Sequence, residues 1–311
     1  MNLLKVIVTI GLGVCFLLAA LGGCGHRGEA FGPHVIEVTA VGLSLRGPSE
    51  TPEGWTTVRF TNQSGMIHLA MFDVPPEGVD AFRMKRELVE PFQDYLDALV
   101  NRDDAGMQTA LESFPSWMPE LYYLGGPGLL SSGQTSEATV NLKPGRYVLE
   151  CYVKTNGVWH TYNPDPDTLG MVLEIEVTKS DAPTSPPYHD ATLQLRNDGL
   201  ELTQGVLKSG FNRIKVEFIE QQTFENFLGN DVHVVRLDED GDLNRAAEWM
   251  DWRKPAGLQT PAPVTFLGGL NDMPEGSVGY FTVNLSPGEF AFITESPDPV
   301  GQGLVLQFSI D

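Results

Sequence analysis

An offset of 143 residues lays one stretch of the chain over another, and this repetition limits the possible folds more than any other feature of the sequence. Gly126 matches Gly269, Asn141 matches Asn284, and Gly145 matches Gly288. Around them, LYYLGG and ATVNLKPGRYVLE in the first copy answer VTFLGG and FTVNLSPGEFAFI in the second. Nearer the start, VTAVGLSL leads to Gly54-Trp55 and a strand-like run ending at Phe60, just as LQLRNDGLEL leads to Gly210-Phe211 and a run ending at Phe218. At the far end GMVLEIEV, from Gly170, matches GLVLQFSI, from Gly303. Whatever fold the sequence encodes is built twice.

Each copy consists of short β-branched and aromatic runs separated by turn formers, with 33 glycines and 22 prolines as punctuation. This predicts an all-β chain of sandwiches or barrels. The expected division is 24–179 for the first domain, SDAPTSPP at 180–187 for a linker, and 188–311 for the second domain. A helical insert at 79–114 interrupts the first copy, where Phe82, Leu88, Val89, Phe92, Leu96 and Leu99 recur at helical spacing and Pro91 marks a kink or break. A further short helix is expected from Asp103 or Asp104 to about Phe114, and a shorter insert centres on LNRAAEWMDW in the second copy. Both inserts are expected to cover an edge or end of the sandwich.

The N-terminus predicts export. Lys5 precedes the apolar run Val6 to Ala20, which is short for a membrane span and suited to a signal-peptide core. The run ends in Leu21-Gly22-Gly23-Cys24, which resembles a bacterial lipobox. That resemblance implies lipidation of Cys24 and a mature protein held at the bilayer, facing the periplasm or the cell surface. With 41 acidic against 20 basic residues the net charge is -21, which disfavours nucleic acid and admits a cationic protein as partner.

Cys15 would leave with the signal and Cys24 would carry lipid, so Cys151 has no disulfide partner in an oxidising compartment. Two readings of this thiol are open: a soft metal ligand, or a core-filling side chain. The stretch NQSGMIHLAMFD, Asn62 to Asp73, resembles the strand of plastocyanin- and azurin-type cupredoxins in which Asn, Gly and His lead into apolar residues. PGRYVLEC, Pro144 to Cys151, resembles the hairpin that delivers that family's copper-binding cysteine. The resemblance implies two tandem Greek-key β-sandwiches with short helical inserts, and copper in the first, with His68, Cys151, His160 and Met171 as ligands. Two imidazoles, a thiolate and a weak thioether suit both oxidation states of copper and hence electron transfer. The spacing C-x8-H-x10-M is longer than the family's, and Leu69 stands where the family often has Asn. Ordering the longer loop costs backbone entropy, which Trp159, Tyr162 and the NPDPD turn are expected to offset.

In the second copy Thr294 replaces Cys151, Leu304 replaces Met171, and the loop lacks the segment that holds His160. His233 is expected to be an ordinary half-buried imidazole at a position comparable to His68. DEDGDLN, Asp238 to Asn244, has its glycine too early for an EF-hand and is expected to cap the next helix. The chain lacks a nucleophile elbow, a metalloprotease helix, a phosphate-binding glycine loop and any His-x-His pair, so it is not expected to be an enzyme. The alternative to a copper protein is a metal-free cupredoxin-like module that binds a protein or ligand.

Overall fold

The computed structural model describes residues 32–237 and 242–311. Cys24, the apolar run before it, and residues 238–241 of the acidic stretch lie outside the described residues. Asp242 does cap the helix Leu243–Met250, accepting hydrogen bonds from the Asn244 and Arg245 backbone N–H groups.

The first half is a two-sheet sandwich. One sheet runs Ser44–Arg46, His34–Val41, Gly54–Asn62, Thr135–Leu142; the other runs Glu50–Pro52, Val172–Thr178, Gly145–Glu150, Met71–Val74, Tyr122–Tyr123. Alternation decides which side chains face inward: Ile36, Val38 and Ala40 are buried in turn, and so are Tyr147 and Leu149. The second half repeats the plan, with Gly199–Gly205, Ala191–Arg196, Gly210–Phe218, Val278–Leu285 against Thr265–Leu270, Val232–Leu237, Gly288–Ile293, Val305–Ile310.

The repeat is preserved in the strand register. Trp55 pairs with Asn141 and Phe211 with Asn284, so matched residues meet matched residues. Gly126 and Gly269 have φ of +103° and +143°, and a Cβ on either would run into a backbone carbonyl, that of Ala70 or Val232. Thr135–Leu142 also pairs with Val278–Leu285 through Ala138 and Phe281, which fuses one sheet from each half into an eight-stranded sheet. On the opposite layer Asn271 N–H donates to Gly126 O, and Gly268 N–H to Leu129 O. One apolar core therefore runs through both halves.

The helical insert comprises Ala81–Met84, a π-helical turn Lys85–Val89, Glu90–Asn101 and, after Asp103 as cap, Asp104–Glu112. Pro91 has no N–H for Glu87 and its ring would crowd that carbonyl, and the widened turn stands immediately before it. The insert covers more than the expected edge or end: its helix Glu90–Asn101 does reach the loop at 157–159, through Gln93 and Phe92, but its first turns lie elsewhere. Met84 and Leu88 pack on Val148, whose side chain faces away from Tyr147 and Leu149, so these turns cover the outer face of the five-stranded sheet. Phe82, on the expected apolar stripe, is left 40% exposed.

Candidate metal centre

His68, Cys151 and His160 meet at one end of the first sandwich. Each is positioned by backbone constraints that the local sequence supplies. Asn62 ties the turn before His68, its amide donating to Met66 O and Leu130 O while its oxygen accepts from Ser64. His68 and Leu130 then exchange backbone hydrogen bonds at 3.1 and 2.7 Å. Cys151 follows the strand Gly145–Glu150, whose hairpin is closed by the Tyr147 hydroxyl bonding to the backbone of Lys143. The Cys151 N–H donates to Met171 O, and the Met171 N–H to His160 O.

The long loop is ordered by a hairpin of its own. Lys154–Thr155 pairs with Val158–Trp159 across Asn156 and Gly157, both with positive φ, the geometry of a tight two-residue turn. The second half braces it. Lys154 exchanges backbone hydrogen bonds with Leu258 and Thr260, its buried Nζ donates to Trp252 O and Lys254 O, and Gln259 Oε1 accepts from Gly157 N–H. Trp159, expected to help order the loop, is buried and donates its backbone N–H to Gln93 Oε1 on the helical insert. Tyr162 N–H donates to Trp159 O, and Asp165 closes its turn by accepting from Asp167 N–H and Thr168 Oγ1.

The three donor atoms form a nearly equilateral triangle: Cys151 Sγ to His68 Nδ1 3.4 Å, Cys151 Sγ to His160 Nδ1 3.6 Å, and Nδ1 to Nδ1 3.2 Å. The centre of the circle through them is about 2.0 Å from each, near metal–nitrogen and metal–sulfur bond lengths. Exposure is 0% for His68 and Cys151 and 2% for His160, so bulk water is shut out. Met171 is also fully buried and joined to both Cys151 and His160 through its backbone.

Burial sets the protonation states. It pushes the Cys151 thiol up to about 12, with the backbone of Leu69 and Val153 partly opposing. Burial also lowers His68 to about 4, with the Gly42 backbone partly opposing from beyond ordinary hydrogen-bond geometry. His160 falls to about 3, through burial first and then the neighbouring His68. Both imidazoles are thus neutral near pH 7, the form that ligates metal. Thr155 Oγ1 is 2.8 Å from His160 Nε2 and 3.0 Å from Thr260 Oγ1. When Nε2 donates to Thr155, the lone pair of His160 stands on Nδ1, facing the sulfur. This donor set fits a soft or borderline metal ion.

Cys151 therefore satisfies both sequence-based descriptions: its side chain faces the sandwich interior, and the two histidines are brought to it. Leu69 lends its backbone to the thiol, so the missing Asn side chain costs that contact nothing. Thr155 was not singled out from the sequence, although Asn156-Gly157 between Thr155 and Val158 is a strong hairpin signal.

His233 departs from expectation. It is fully buried, and the strand register places it opposite Ile293 as Met71 lies opposite Glu150, so its counterpart is Met71 and not His68. Asp231, His233 and Glu295 also bring possible ligand atoms within 4.8 Å of one another. His233 Nδ1 accepts from Leu129 N–H at 3.0 Å, which leaves the proton on Nε2, donated to Asp231 Oδ2 at 2.7 Å. Both nitrogens are engaged. The loop exchange in the second half is seen in matched backbone bonds: Thr294 N–H donates to Leu304 O as Cys151 N–H does to Met171 O, and Leu304 N–H donates to Pro299 O where Met171 uses His160 O.

No family model matches the chain, and no curated protein matches it. Among solved structures it is similar to auracyanin A, a blue copper protein from Chloroflexus aurantiacus, at 19% identity over 47% of this chain and 100% of that one, with a TM-score of 0.27. A multicopper oxidase matches at 14% identity over 89% of this chain and 88% of that one, TM-score 0.23. A copper nitrite reductase from Nitrosomonas europaea matches at 13% over 90% and 93%, TM-score 0.21. The expectation that the chain is not an enzyme does not stand: the similar structures include a multicopper oxidase and a copper nitrite reductase. The motifs whose absence suggested it belong to other chemistries. The two-sheet sandwich built twice agrees with the tandem β-sandwiches that the resemblance implied. No helix among the described residues is long and apolar enough to cross a membrane.

Proposed function

We propose that the chain is a lipid-anchored extracytoplasmic copper protein that passes single electrons through a site made by His68, Cys151, His160 and Met171. The observation that carries this reading is the buried triangle of one sulfur and two Nδ1 atoms around a common centre. Copper bound there would supply one-electron redox chemistry. The residues contribute the rest. Cys151 and the two histidines offer donors already facing one point, the Thr155 contact fixes the His160 ring, and burial keeps water from the centre. A rigid sandwich and a braced loop hold these donors in place whichever charge the centre carries.

Titrating the purified chain with copper tests the reading. One ion per chain and an intense thiolate-to-copper band in the visible spectrum are expected, and Cys151→Ser should abolish the band. Copper binding without such a band, or a band that survives Cys151→Ser, would overturn it. The anchor belongs to the same proposal: Cys24→Ser should leave unprocessed precursor, and normal processing of that variant would exclude lipidation there. The charge of -21 supports a cationic redox protein as partner. Its electron-transfer rate with this chain should then fall as salt rises.

A further inference from the structure

Lys154 stands on the ligand loop between Cys151 and His160 and is 0% exposed. Its ammonium reaches across to the second half, where Nζ donates to Trp252 O at 3.0 Å and to Lys254 O at 3.1 Å. Both carbonyls follow the C-terminus of the helix Leu243–Met250, the end of a helix that favours a cation. The ammonium also lies over the Trp159 ring, 4.8 Å from its centre.

Burying an ammonium is costly when no carboxylate receives it. The two acids whose fields reach Lys154 are engaged elsewhere: Asp251 with Arg253 at 2.9 Å, and Glu295 with the Tyr152 hydroxyl at 3.0 Å. Burial lowers Lys154 to about 8, opposed by those fields, so it keeps its proton near pH 7. A hydrocarbon side chain in the same space would avoid the cost, so the N–H donors have a use. Position supplies it. Lys154 precedes Thr155, whose hydroxyl meets His160 Nε2, and it pairs across the hairpin with Trp159, which precedes His160. Holding Lys154 therefore holds both residues that carry the His160 ring. The second half, in which Thr294 and Leu304 stand for Cys151 and Met171, lacks this segment of the loop.

We propose that the second half is the positioning element of the metal centre in the first, with the Lys154 ammonium as its point of attachment and His160 as the ligand it holds. This rests on the reading of His160 as a metal ligand. Lys154 acts through Thr155 and Trp159, and is a positioning residue rather than a ligand.

Hydrogen exchange of the histidine ring N–H groups, followed by NMR on metal-free full-length chain carrying isotope-labelled histidine, tests it. His233 is the internal reference, being fully buried in the second half and hydrogen-bonded to Asp231. In Lys154→Met, which fills the space and removes the donors, the His160 N–H is expected to exchange about tenfold faster or more, with His233 unchanged. Unchanged exchange at His160, or an equal acceleration at both histidines as from a general loss of stability, would overturn the proposal. With copper added, the affinity of Lys154→Met should fall by about tenfold or more, and an unchanged affinity would also overturn it. An unaltered chain that forms no thiolate-to-copper band removes the metal reading, whereas the exchange at His160 still judges Lys154. Should Lys154→Met fail to fold, exchange in the unaltered chain decides. There the His160 N–H is expected to open together with the backbone N–H groups of Lys154 and Thr260, and slower exchange than both would overturn the proposal.

Discussion

Thr155 Oγ1 and His160 Nε2 lie 2.8 Å apart, and this contact fixes which nitrogen of His160 faces Cys151. Thr155→Val keeps the shape of the side chain and removes its hydroxyl, leaving Nε2 buried without a partner. We expect a loss of roughly 1–3 kcal/mol in stability, measured by urea unfolding. Copper affinity, measured by competition with a chelator, should fall by about 10- to 100-fold while the visible band persists, because the three donors remain. An unchanged affinity would show that the hydroxyl does not orient the ring.

The sandwich architecture was legible because strand alternation and turn residues are local signals and the chain carries them twice. Gly126 and Gly269, Asn141 and Asn284 sit where the offset puts them, and Trp55 and Phe211, matched by their sequence surroundings, pair with the two asparagines. The ligand loop was harder to read, since its length looked like an entropic burden. Its support comes from Leu258, Gln259 and Thr260, about a hundred residues away, and no local pattern announces such bracing. The same holds for His233: spacing suggested a likeness to His68, but a bulge-containing strand register decides its partners.

Glycines with similar positive φ should respond unequally to alanine. Gly133 has φ of +77° with open space around a new Cβ, so Gly133→Ala should cost only the left-handed backbone penalty, roughly 1–2 kcal/mol. At Gly126 the added carbon meets the Ala70 carbonyl, two residues beyond His68. Gly126→Ala should therefore cost roughly 3–5 kcal/mol and impair copper binding. Equal melting temperatures for the two variants would refute the close approach.

Stability should also depend on pH through the buried acids. Burial raises Asp272 to about 8, partly opposed by the Gly229 backbone. Between its unfolded pKa near 4 and this value the folded state holds a proton that the unfolded chain has lost. Its contribution is complete below about pH 4 and is lost as pH rises through 8, with a slope of up to about 1.4 kcal/mol per pH unit. His68 and His160, lowered to about 4 and 3, act in the other sense, removing stability as pH falls below about 6.5. In metal-free chain with a chelator present, Asp272→Asn should flatten the decline between pH 5 and 8 and leave the acid limb alone. A variant as pH-sensitive as the parent over that range would contradict the assignment to Asp272.

Met171 offers the most selective test of the metal centre, because the second half already shows how its position accepts leucine. Leu304 stands there with the same acceptor role, taking the Thr294 N–H as Met171 takes the Cys151 N–H. Both side chains are fully buried. Met171→Leu should then fold normally, at a cost below about 1.5 kcal/mol for an apolar exchange of similar volume. What changes is the chemistry: a thioether donor is replaced by hydrocarbon. Loss of a donor in an apolar pocket disfavours the more highly charged oxidised state, so the redox potential should rise. The thiolate-to-copper band should remain, since Cys151 and both histidines are untouched. Spectroelectrochemical titration of both proteins reads band and potential together. An unshifted potential would remove Met171 from the ligand set, and a lost band would mean that the substitution had disturbed the His68, Cys151 and His160 triangle itself.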